Sequence, residues 1–89
     1  MLFIIDILVA GAMQEVYPMD KAQMDRLKVL LDYWIEHNEE HGEEFREWAE
    51  KARGFGAVAI HDNLLGAYEA IGKANALLVK ALDSLRERA

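Results

Sequence analysis

The chain has 89 residues, 16 acidic against 10 basic side chains for a net charge of −6, and no cysteine. A chain this short is one domain with a thin core, burying only about 60–65% of its unfolded surface. Its negative balance argues against nucleic acid or a membrane surface as partner, and the missing cysteine excludes disulfides, thiolate metal sites and a thiol nucleophile while fitting a cytoplasmic location.

Residues 1–19 read as a separate apolar segment. Positions 2–13 are apolar apart from Asp6 and Gly11, too short for the roughly 20 residues that span a bilayer. No Lys or Arg precedes Lys21, so the basic opening of a secretory signal is missing. The segment is expected to pack on the rest of the chain, to serve oligomerisation, or to be an extension upstream of a start at Met13 or Met19.

Residues 20–89 read as an antiparallel helical hairpin, with helices expected over about 20–53 and 57–87. Asp20 is a fitting N-cap, with Gln23 completing a capping box and Met19 and Met24 placed as a hydrophobic staple. From there Met24, Leu27, Leu31, Trp34, Asn38, His41, Phe45, Trp48 and Ala52 recur at alternating spacings of three and four, the signature of a helix seam. Leu30, Ile35 and Ala49 widen the stripe, and Glu36, Glu39, Glu40, Glu43, Glu47 and Glu50 fill the other face as solvated surface.

The Gly54-Phe55-Gly56 stretch ends the first helix, glycine being the usual residue of a left-handed cap. The second helix carries Ile60, His61, Leu64, Leu65, Tyr68, Ile71, Asn75, Leu78, Val79, Leu82 and Leu85 on its apolar side. Gly66 and Gly72 weaken that helix, and close approach to another helix is the expected return. Folding about Phe55 sets Leu31 near Leu78, Trp34 near Asn75, His41 near Tyr68, Phe45 near Leu64 and Trp48 near His61. Leu31, Trp34, Asn38, Phe45, Trp48, Tyr68 and Leu78 are therefore the expected core or interface residues.

The segment most able to carry chemistry is Glu36-His37-Asn38-Glu39-Glu40-His41-Gly42-Glu43-Glu44. His37 and His41 lie four apart and share one helical face, the spacing by which a helix offers two nitrogen ligands to one ion. Glu44, Glu40 or a partner's carboxylate could add oxygen, and His61 is the remaining imidazole. Zinc, nickel or iron would suit that set. The competing reading makes His41 part of an internal polar layer with Asn38 and Tyr68 that fixes helix register. It places His37 at the solvated edge of the seam and His61 against Trp48.

Several chemistries find no support. Asn38, rather than Glu, follows His37, so the zinc-protease signature is broken. The Glu-x-x-His pairs of di-iron bundles are missing. Gly54-x-Gly56 follows no strand and is no phosphate loop. Threonine is absent and Ser84 is the single serine, so no hydroxyl nucleophile stands out and no catalytic residue is assigned.

The stretch Trp34-Ile-Glu-His-Asn-Glu-Glu-His-Gly-Glu-Glu-Phe-Arg-Glu-Trp-Ala49 resembles a motif of small prokaryotic, often archaeal, proteins of unknown function. The resemblance covers roughly the last 70 residues, loosely in the second helix. It implies a helical hairpin without an established activity, and singles out Asn38 and His41 as a pair. A hemerythrin likeness rests on His37-x-x-x-His41 alone, since the other histidine motifs of that iron site are missing.

These readings converge on an all-α hairpin that dimerises into a four-helix bundle. The expected function is a non-enzymatic structural or protein-interaction module, without cofactor, self-associating through an apolar, aromatic-rich face. The alternative is a small metal-binding protein built on His37 and His41. A third reading, an enzyme whose site forms only between subunits, has the least support.

Overall fold

A computed structural model describes residues 19–88 of the chain. The apolar segment before Met19 lies outside the described residues. Two helices, α1 over Lys21–Gly54 and α2 over Val58–Arg88, pack against each other as an antiparallel hairpin. No strand occurs among the described residues.

The ends of α1 form by the local chemistry its sequence announces. The Gln23 backbone N–H donates to Asp20 Oδ1 at 2.8 Å, and the Asp20 N–H donates back to Gln23 Oε1 at 3.2 Å. Two of the helix's free N-terminal donors are thereby satisfied. At the far end the Ala57 N–H donates to the Ala52 carbonyl at 2.9 Å and the Gly56 N–H to that of Arg53 at 3.0 Å. This is the Schellman pattern, and Gly56 supports it with a φ of +77°, a conformation costing other residues roughly 1 kcal/mol or more. Lys51 and Arg53 in the last turn complement the negative end of the helix dipole.

The cap also decides the register between the helices. Because α1 continues through Gly54 and the reversal is centred on Gly56, the hairpin pivots later than a fold about Phe55 requires. Asn75 therefore pairs with Asn38 rather than lying beside Trp34. Leu31 packs with Leu82 and Leu85, while Leu78 sits at the edge of that cluster. Moving the pivot by two residues slides one helix past the other by about four, one helical turn.

The interior is thin. Leu31, Leu82 and Leu85 are buried toward the open end of the hairpin, with Met19, Met24, Leu27, Ile35 and Leu78 packed around them. Nearer the turn the buried apolar positions are only Ala49 and Ala52. Trp34 and Trp48, expected in a core or interface, are 39% and 56% exposed and do not belong to the seam between α1 and α2.

The close approach expected at Gly66 and Gly72 occurs elsewhere. Gly42 is the buried glycine of α1; a Cβ there would lie 3.3 Å from Ile71 Cγ2 and 3.7 Å from Tyr68 Cδ1. Gly66 and Gly72 face open space instead. Each should gain about 1 kcal/mol on replacement by Ala, since alanine removes the helix penalty and meets no clash. A raised urea midpoint for Gly66→Ala and for Gly72→Ala checks this. A fall would mean that another surface covers those positions.

Candidate functional site

Helical periodicity divides the surface of the hairpin into two unlike faces. A seven-residue ridge on α1, beside the seam, carries Leu27, Trp34, His41 and Trp48, flanked by Leu30 and His37. The matching ridge on α2 carries Ile60, Ala67, Ala74 and Ala81. The opposite edges of the two helices meet at a groove of about 450 Å³. Glu39, Glu43, Glu69 and Gly72 line it, with Asn38, Gly42, Tyr68, Ile71 and Asn75. Since Glu39 and Glu43 share this groove with Glu69 and Gly72, the two ridges lie together on the other side.

The two faces differ in chemistry. The groove side mixes carboxylates with an apolar floor: Glu39, Glu43 and Glu69 rim it over Gly42, Tyr68 and Ile71. Arg46 Nη2 donates to Glu43 Oε2 at 2.9 Å, a hydrogen bond that with the carboxylate's charge holds the Arg46 guanidinium above its ordinary pKa. The ridge side is large on α1 and small on α2. Trp34, Trp48 and Ile60 are exposed there, and Lys51 Nζ lies 4.2 Å over the Trp48 ring.

Between the faces runs a polar layer. Asn38 Nδ2 donates to Asn75 Oδ1 at 3.0 Å, and Asn75 Nδ2 donates to the Ile35 carbonyl at 2.9 Å. The layer expected around Asn38, His41 and Tyr68 is therefore an amide pair. His41 stands outside it, half-buried on the ridge, its side chain 43% exposed.

The histidines separate into a pair and a single. His41 Nε2 lies 3.0 Å from His37 Nε2, with the rings edge to face at 4.4 Å between centroids. Tyr33 stacks on His37 at 5.2 Å and Phe45 on His41 at 6.2 Å. Glu44 Oε1 stands 3.7 Å from His41 Nδ1, on the ring edge away from His37. His61 instead engages Asp62, with Nδ1 3.0 Å from Oδ1. Among the described residues no three or more His, Asp or Glu side chains gather into a metal cluster.

Sequence reasoning missed Gly42 as the point of closest approach and Tyr33 as the ring stacked on His37. The signal for Gly42 was present, since Ile35, Gly42 and Ala49 repeat every seven residues along the seam. Tyr33 carried the same signal as the histidine pair, a spacing of four before His37.

No helix among the described residues is long and apolar enough to cross a membrane. Comparison with curated proteins gives no match, and neither does comparison with solved structures. A family profile does match, over residues 27–85, which takes in the seam, the amide layer and the histidine pair. The chain therefore belongs to the family described as a domain of unknown function, DUF8180.

Proposed function

We propose that the protein is a non-enzymatic interaction module whose occupant on the ridge side is a second copy of the same chain, the two hairpins stacking into a four-helix bundle. One observation carries this reading. Both exposed tryptophans, Trp34 and Trp48, lie with Ile60 on one side of the hairpin, while the groove rimmed by Glu39, Glu43 and Glu69 takes the other side.

Size and shape both suit a second copy. The ridge side is about 45 Å long, from the 1.5 Å rise per residue, and about 20 Å wide for two helices. The product, on the order of 900 Å² for each copy, reaches the roughly 800 Å² per partner of a stable interface. The large ridge of α1 also complements the alanine ridge of α2, so α1 of one copy sits over α2 of the other. Covering the exposed part of Trp48 alone, on the order of 100 Å², contributes about 2–3 kcal/mol.

Light scattering on the full chain tests the proposal. The native protein should have the mass of two chains, and Trp34→Glu/Trp48→Glu should have the mass of one. Circular dichroism should show unchanged helix content in that variant, because neither tryptophan belongs to the hairpin seam. A native protein that is monomeric at every concentration measured would overturn the reading, and residues 1–18 would become the next occupant to test.

A further inference from the structure

We infer that His37 and His41 form a two-imidazole clamp for a divalent late transition metal, one ion on each hairpin, held through both Nε2 atoms. The separation of those atoms is the argument. Imidazole nitrogens bind zinc, nickel or copper at about 2.0–2.1 Å. Two ligands on neighbouring positions of one ion, subtending about 90–110°, then stand about 2.9–3.4 Å apart. His37 Nε2 and His41 Nε2 are 3.0 Å apart, within that range, so one ion reaches both once the rings turn their lone pairs toward it.

Tyr33 stacks beside His37 and Phe45 beside His41, so each imidazole has an aromatic neighbour one turn away. Glu44 Oε1, 3.7 Å from His41 Nδ1, comes within reach of that N–H once the two side chains close by about 0.5–1 Å. A carboxylate on the far nitrogen of a ligating histidine fixes the tautomer and makes the near nitrogen a better ligand. In the free chain the two neutral rings share an Nε2–H···Nε2 hydrogen bond, and binding exchanges that bond for the ion as the donor ring takes its Nδ1–H tautomer.

The chain supplies two ligands, so the remaining positions of the ion are open to water or to a donor from outside the hairpin. Open positions set this site apart from a closed structural one. The pair also lies on the ridge side, where His37 stands at the outer edge. The clamp does not depend on self-association, because both nitrogens come from one chain.

Calorimetric titration of the full chain with Ni²⁺ or Zn²⁺ tests the clamp, with solution mass measured on the same samples. One ion should bind per chain. His37→Ala and His41→Ala should each weaken binding by at least about 100-fold, beyond the roughly 10–100-fold that loss of an outer carboxylate costs. His61→Ala should leave it unchanged, and Glu44→Gln should weaken it by less than either ligand replacement. His37 is exposed, so its variant should keep the native helix content by circular dichroism. Absence of binding, or binding that survives His37→Ala/His41→Ala, overturns the clamp. A monomeric protein that still binds one ion would overturn self-association and leave the clamp standing.

Discussion

Leu31→Ala should produce the largest single loss of stability in the hairpin, about 2–5 kcal/mol. Leu31 is 3% exposed and packs on Leu82 and Leu85 in the one cluster of buried large side chains among the described residues. With the interior so thin, no neighbouring layer can collapse into the space a truncated leucine leaves. At roughly 4–8 °C per kcal/mol for a domain of this size, the melting temperature should fall by about 8–40 °C. Val29, two residues earlier on α1, is exposed, and Val29→Ala should stay within about 0.5 kcal/mol of the native protein. Urea melts of both variants at one protein concentration check this, since a self-associating chain has a concentration-dependent transition. Equal losses would show that the seam does not run through Leu31.

Asn75→Ala should cost about 1–3 kcal/mol and loosen the register of the two helices. Asn75 accepts from Asn38 and donates to the Ile35 carbonyl, so one truncation removes both links between α1 and α2. Its partner Asn38 would keep a half-buried donor without its acceptor, and a buried unmet polar group costs about that much. The adjoining groove admits water to the layer, which places the loss toward the lower end. Asn38→Ala should overlap with Asn75→Ala rather than add to it, with a coupling of about 0.5–3 kcal/mol in a double-mutant cycle. Strict additivity would mean that the amides act separately. Asn38→Leu/Asn75→Leu should recover the stability but lose the unique register, seen as extra or broadened amide signals in NMR spectra.

Much of this architecture was legible in the residues because it rests on local chemistry. The Asp20-Gln23 capping box, the seven-residue seam and the glycine turn each follow from contacts within a few positions. Those signals define two helices and their apolar sides, and they lead to a hairpin without any long-range information. The His37–His41 pairing was equally visible, since a spacing of four on one helix brings two side chains together whatever else the chain does. The family match over residues 27–85 agrees with a hairpin to which no activity is assigned.

What sequence alone could not determine was the relation between the helices. The register turned on which glycine takes the left-handed cap, and the choice of Gly56 over Gly54 moved Asn75 from Trp34 to Asn38. The rotation of each helix about its own axis left His41 and the two tryptophans on the ridge, and turned Gly42 rather than Gly66 or Gly72 toward the neighbouring helix. Periodicity tells which side of a helix is apolar but not how that side is divided between a neighbour and open surface. The division depends on the rotation and sliding of one helix against the other, which are set by the packing of all their contacts at once and by no single residue.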